Sequence, residues 1–340
     1  MVYGAIDLHS RFRQIRIVTA DGAVVRERRV VTSRSTLRNA FAAVGAVRIR
    51  VEASTESEWV AQVLEAAGYE VIVADPNSAS MDGTRHRRIK TDTRDVAALS
   101  DACRLGVFRR AHRVAAAQRT LRQELAVRRQ LVRRRTGLIA HLRARLRQDG
   151  FRLGSGSRTT VHERVARLER PASLRGSLTP LLETFAALTP IIATTTRRLT
   201  TTANADPVAV RLHTVPGVGP LVALTDRATV DVVTRFPSAG HVSSALGLVP
   251  REDSSGERRQ RGHITKVGPS EARTMLIQAA WTCWRSRTAR TTPLRQWADR
   301  LAARRGARIA VVALARRLSR ILYAVWRDDT VFRVTPARAA

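Results

Sequence analysis

Apolar and polar positions run with a strand-like period of two through the first third of the chain, interrupted by helical spacing, and settle into helical spacing after it. Val2 to Leu8 is a short apolar strand, and Gln14 to Thr19 alternates polar with apolar. Asp21-Gly22 predicts a hairpin turn, with Ala23 to Val31 as the returning strand. Ser35 to Val44 reads as a helix, Val47 to Glu52 as a strand and Glu56 to Ala67 as a second helix stopped by Gly68. Val71 to Ala74 is a buried strand that ends at Asp75-Pro76. A basic loop follows, Arg85-His86-Arg87-Arg88, and Thr91 can cap a helix reaching to about Leu105. An antiparallel hairpin followed by βαβα predicts an α/β domain over residues 1–110, a mixed sheet with flanking helices.

From residue 113 to 147 there is almost no Gly or Pro. Leu121, Leu125, Val132, Ile139, Leu142 and Leu146 fall near a 3.5-residue spacing, with Arg128 and Arg135 interrupting it. The pattern predicts one long helix, packed either on its own chain or in a coiled coil with a second copy. Residues 150–160 are a Gly/Ser/Thr linker, and 161–205 is helical again, so 111–205 forms a helical middle region. A mainly α domain over 206–330 follows, punctuated by Val215-Pro216-Gly217-Val218-Gly219-Pro220 and by Ser254-Ser255-Gly256, a polar run expected to be a loop. Helices are predicted at Ser270 to Arg285 and Ala307 to Trp326, before a loose tail at 331–340.

Charge changes this picture from fold to partners. Basic residues number 60 and acidic ones 28, a formal net charge of +32, which points to a polyanion such as nucleic acid. No run approaches the roughly 18 apolar residues of a spanning helix, and no export signal opens the chain, so a cytoplasmic protein is expected, with no membrane partner. Cys103 and Cys283 read as lone buried thiols. All but two of the basic residues are arginine; the exceptions are Lys90 and Lys266. A position that keeps lysine in such a chain points to a need for a compact point charge.

Acids on core-like segments in so basic a chain call for a reason. Asp7 sits inside Ala5-Ile6-Asp7-Leu8, and Glu52 ends its strand. If those two strands are parallel neighbours, the carboxylates approach each other. Asp92 and Asp95 share one face of a helix start. For any single acid, pairing with an arginine is the plainer reading. For four acids in this strand–strand–helix order, a shared site for Mg²⁺ or Mn²⁺ is the better one. Two such ions would polarise a phosphate, with Lys90 at the rim.

Ala5-Ile6-Asp7-Leu8-His9, Val51-Glu52-Ala53-Ser54 and Lys90-Thr91-Asp92-Thr93-Arg94-Asp95 resemble the three acidic motifs of the DEDD insertion-sequence transposases, the family that includes the pilin-gene invertases. Val215 to Pro220 resembles that family's helix-hairpin-helix-like turn. Leu246-Gly247-Leu248-Val249-Pro250-Arg251, leading to Ser254-Ser255-Gly256, resembles its serine segment, and Gly262 to Gly268 with Ala272-Arg273 follows at the family's spacing. The resemblance spans nearly the whole chain. It departs from the family at Pro269, where asparagine is frequent, and at Ser10, where a basic residue is frequent.

The resemblance implies a RuvC-like RNase H fold at the N-terminus, a metal held by Asp7, Glu52, Asp92 and Asp95, and Ser255 as nucleophile in a covalent protein–DNA intermediate, with Ser254 its nearest rival. It also implies double-stranded DNA at element ends and target, a structured guide RNA from the element, and a homo-oligomer in which dimers pair into a tetramer. Lys90, Gly217, Gly219, Gly256, Lys266 and Arg273 are the residues expected to contact nucleic acid; Val215 to Pro220 is either a phosphate nest or a tight helix–helix turn. The competitors are a junction-resolving nuclease that uses water and a catalytically dead nucleic-acid binder.

Overall fold

The computed structural model describes residues 1–8, 11–42, 44–45, 47–76, 91–169, 171–255 and 258–334. The basic loop Arg85 to Arg88, Lys90 and Gly256 lie outside these residues. The chain divides into two compact units, Met1–Val114 and Ala115–Ala340.

The first unit is built on a five-stranded mixed sheet in the order β3-β2-β1-β4-β5, with β1 Val2–Leu8, β2 Phe12–Val18, β3 Val24–Val31, β4 Val47–Glu52 and β5 Glu70–Ala74. β1 to β3 form an antiparallel meander, and β4 and β5 join β1 in parallel. This agrees with the expected mixed α/β sheet and is compatible with an RNase H-like domain. The turn after β2 uses Gly22 at φ 97°, a left-handed conformation open to glycine. Helices α1 Arg34–Phe41 and α2 Ser57–Glu65 cover one face, where Ile6, Ile15, Ile17, Val47, Ile49 and Val51 meet Leu37, Phe41, Val60 and Leu64. The other face carries α3, Asp92–Arg104, capped as expected by the Thr91 hydroxyl accepting from the Arg94 N–H at 3.4 Å.

In the second unit two long helices, α4 Ala116–Gln148 and α6 Ala172–Ala205, pack on each other with the short α5 Val161–Ala166 beside them. The seam expected on α4 is buried against its own chain. Leu121 and Leu125 join Leu199 and Ala203 in the large core, while Ile139, Leu142 and Leu146 pack with Leu174, Leu178 and Phe185 in a second. Arg128, which interrupts the seam, is met by Thr196, whose hydroxyl accepts from its Nε at 2.8 Å. One finding departs from the expectation that no segment resembles a spanning helix: α6 has the length and low charge to cross a membrane. Here its Leu174, Leu178, Phe185, Ile192 and Leu199 serve as core.

The remainder comprises α7 Pro207–His213, α8 Pro220–Val230, α9 Ala239–Ala245, the hairpin β6 Pro250–Ser255 and β7 Arg258–Ile264, then α10 Ser270–Arg285, α11 Thr292–Arg305 and α12 Ala307–Arg327. The hairpin corrects the expectation of a loop at Ser254-Ser255. Its strands carry almost no apolar residue, so no period of two in hydropathy marks them; the backbone ladder alone defines them. Helix α11 was likewise not expected.

Candidate active site

Strand register decides what the acids can do together. Ile6 of β1 pairs with Val51 of β4 in parallel, so the next residues along, Asp7 and Glu52, stand side by side at the strand ends. Side chains alternate across a sheet. Ala5 and Asp7 therefore share one face of β1, and Arg48, Arg50 and Glu52 share the same face of β4. That face is the one under α3, because Ala5 packs against Val96 and Leu99.

The direction of α3 completes the arrangement. The Cys103 sulfur approaches the Arg48 carbonyl at 3.7 Å, and Arg104 donates to the Ala20 carbonyl at 3.4 Å, so the helix C-terminus lies at the start of β4. Eleven residues of helix from Asp92 to Cys103 span about 16 Å, against about 13 Å for the strand from Arg48 to Glu52. The N-terminal turn with Asp92 and Asp95 thus returns to the end of the sheet where Asp7 and Glu52 sit. Asp7 and Glu52 share one face and one end of the sheet, and the helix turn that carries Asp92 and Asp95 lies toward that end. Each of the four acids makes interactions within the protein, and among the described residues no three His, Cys, Asp or Glu side chains stand grouped as a finished metal site. The donor set is all carboxylate oxygen, which suits a hard cation such as Mg²⁺ or Mn²⁺.

Ser255 is the last residue of β6, pairs with Arg258 across the hairpin and is exposed, as is every residue of that strand. Ser254 differs in its bonding: its hydroxyl donates to Glu252 at 3.3 Å and accepts from the Gln260 N–H at 3.3 Å. No hydrogen bond to the Ser255 hydroxyl occurs among the described residues.

The base of this hairpin is tightly built. Arg273, 9% exposed, donates through Nη1 to the carbonyls of Leu246 at 2.8 Å and Val267 at 3.0 Å. A Cβ on Gly247 would lie 2.3 Å from the Val267 carbonyl oxygen, and one on Gly268 would lie 2.0 Å from that of Ala245. Lys266 is exposed, holds a left-handed backbone at φ 56° and donates its N–H to Gly247 at 3.2 Å. Such a backbone costs a non-glycine residue on the order of 1 kcal/mol and persists only where neighbours enforce it. The guanidinium of Arg273, expected on nucleic acid, is thus committed to two backbone carbonyls.

The Val215 to Pro220 turn shows the same commitment. A Cβ on Gly217 would lie 2.4 Å from the Ala279 carbonyl oxygen, so this glycine lets the turn press against α10, whereas Gly219 opens on free space and caps α8. Of the two readings of this turn, close helix packing has the direct contact. Two residues with no sequence signal stand out. Arg50 is fully buried, although its alternating strand predicts a solvent-facing position. Asp226 on α8 is 4% exposed, and burial pushes its carboxyl up to about 7.

Residues 5–149 match the DEDD transposase domain of IS110 elements, and residues 209–294 match the domain described as transposase IS116/IS110/IS902 family. The chain is 28% identical over 336 residues to a probable family 20 transposase of Pseudomonas aeruginosa, covering 96% of this chain and 97% of that protein. It is 28% identical to the transposase for insertion sequence element IS1111A of Coxiella burnetii, over 72% of this chain and 68% of the other. With the transposase for IS1328 of Yersinia enterocolitica the identity is 29%, over 61% and 62%. The first matched domain contains Asp7, Glu52, Asp92 and Asp95, and the second contains Ser255, Lys266 and Arg273.

Proposed function

Because the chain belongs to the IS116/IS110/IS902 transposase family, we propose that it cuts and rejoins the DNA of its own mobile element through a covalent bond to Ser255. The observation that supports this reading is that Asp7 and Glu52 end neighbouring parallel strands on the sheet face covered by α3, whose first turn carries Asp92 and Asp95. These four acids would hold one or two Mg²⁺ or Mn²⁺ ions, which when bound polarise the scissile phosphate and stabilise charge on the attacking and leaving oxygens.

The remaining chemistry belongs to the chain. The Ser255 oxygen attacks phosphorus as its proton passes to water, one phosphorus–oxygen bond to deoxyribose breaks, and the departing deoxyribose oxygen takes a proton from water to leave as a free hydroxyl. The phosphoserine ester keeps the energy of the broken bond, so a hydroxyl from another strand reverses the step and joins new partners. An exposed ribbon suits a nucleophile that must reach into a duplex. The tight base of the hairpin, Gly247, Lys266, Gly268 and Arg273, positions the serine rather than touching DNA. The arginine excess supports tracking of phosphates without base readout, with Lys90, Gly219 and Gly256 as contacts. In this reading a structured RNA chooses the target, and dimers pair into a tetramer on two duplexes.

The test is incubation with element-end DNA in Mg²⁺ or Mn²⁺, followed by denaturing electrophoresis. A covalent adduct is expected in wild type and in Ser254→Ala but not in Ser255→Ala. Cleavage that survives Ser255→Ala would instead mean that water attacks, and binding without cleavage would mean a dead enzyme.

A further inference from the structure

Two arginines among the described residues of the first unit are fully buried, and they differ in one respect. Arg13 pairs with Glu56 and lies over the Trp59 ring. Arg50 has no hydrogen-bond partner for Nε, Nη1 or Nη2 among the described residues; its only ring contact is Phe108, with the centroid at 5.8 Å. A buried cation without hydrogen bonds is among the costliest arrangements in a protein, so something else must offset it. Burial lowers the proton affinity of this guanidinium, and Cys103 and Glu52 act against that effect. Burial also pushes the Cys103 thiol up to about 11, so near neutral pH that group carries no charge. The carboxylates at the strand end are left as the compensating charge: Glu52 is two residues along on the same face, and Asp7 is beside it in register.

We propose that Arg50 is a positioning residue, a sealed internal cation coupled to Glu52 that fixes this carboxylate at the end of β4 before DNA arrives. This rests on the acidic-site reading above.

Two measurements decide this. In EDTA, thermal unfolding is followed for Arg50→Met, Glu52→Gln and the double variant. Removing Glu52 leaves the buried guanidinium uncompensated, so Glu52→Gln is expected to lower Tm, by several degrees for a unit of this size. The Tm loss of Arg50→Met is expected to shrink in the Glu52→Gln background. Equal losses in both backgrounds, or a Glu52→Gln variant as stable as wild type, would overturn the proposal; the latter readout stands even if Arg50→Met does not fold. In Mn²⁺ titrations followed by electron paramagnetic resonance, Arg50→Met is expected to bind about tenfold tighter or more, while Arg50→Lys behaves as wild type. Unchanged Mn²⁺ affinity in folded Arg50→Met counts against it. Equal Mn²⁺ binding by wild type and Asp7→Asn would sink the acidic-site reading instead, and the metal-free unfolding cycle would still decide whether Arg50 and Glu52 are coupled.

Discussion

The acidic segments and the serine hairpin, which would carry complementary parts of the proposed reaction, are built in opposite ways. Asp7 extends from a strand whose Gly4, Ala5 and Ile6 are buried, and α3 is clamped over it by Val96 and Leu99. Ser255 stands on a ribbon whose every first-strand residue is exposed, held only where it joins the body. Metal ligands work when supported on all sides by packed elements, because small displacements change affinity. A nucleophile that enters a DNA duplex must be displayed beyond the body of its domain, so its precision is delegated to the few residues at the root of the ribbon.

That contrast can be broken most directly by catalysis. Asp7→Asn and Ser255→Ala are each expected to lower strand cleavage by on the order of 10³ or more, with circular dichroism unchanged. A difference between them then appears in Mn²⁺ binding, which Asp7→Asn loses and Ser255→Ala keeps. Next in size is Gly268→Ala. Its methyl would stand 2.0 Å from the Ala245 carbonyl oxygen, which should cost about 3 kcal/mol and abolish adduct formation although Ser255 is untouched. The equivalent change at Gly176 in α6, where nothing lies within 4 Å of a Cβ and the backbone is helical, meets no such contact and should leave cleavage intact.

The third prediction concerns the interior that supports the hairpin. The Asp226 carboxyl is held up near 7 by burial, above its unfolded value of about 3.9. The proton is bound more tightly in the folded state, so stability is full below the unfolded value, falls as pH rises and levels off above about 7. Asp226→Asn should therefore raise Tm at pH 8, by an amount equivalent to a few kcal/mol, and flatten the profile between pH 4 and 7. Thermal melts across that range check it. The smallest effect is expected at the acid helix: Thr91→Ala removes the cap of α3 and should cost about 1 kcal/mol, while weakening Mn²⁺ binding through Asp92 and Asp95.

Much of this molecule is legible before folding. Apolar runs mark β1 and β5, alternation marks β2, and the Thr91 cap marks the start of α3, because these signals are local. The four acids could be picked out because carboxylates are scarce in an arginine-rich chain. Neither the β6–β7 hairpin nor α11 could be read this way: polar ribbons hide no apolar stripe, and the signal for α11 was too weak. The alternation of Arg48 and Arg50 with Val47, Ile49 and Val51 suggests one wet face, yet Arg50 is sealed while Arg48 stays partly exposed.

The order of residues is enough to set which segments are strands and helices, how strongly the chain seeks a polyanion, and which acids and serine are available. Those properties depend on neighbours a few positions apart and on summed charge. Only packing decides that Asp7 and Glu52 become neighbours, that Arg50 is entombed beneath α3, that Arg273 ties down a hairpin, and that the α4 seam is spent on α6. Each of these joins positions tens of residues apart, and such pairings are chosen by which apolar faces can close over one another.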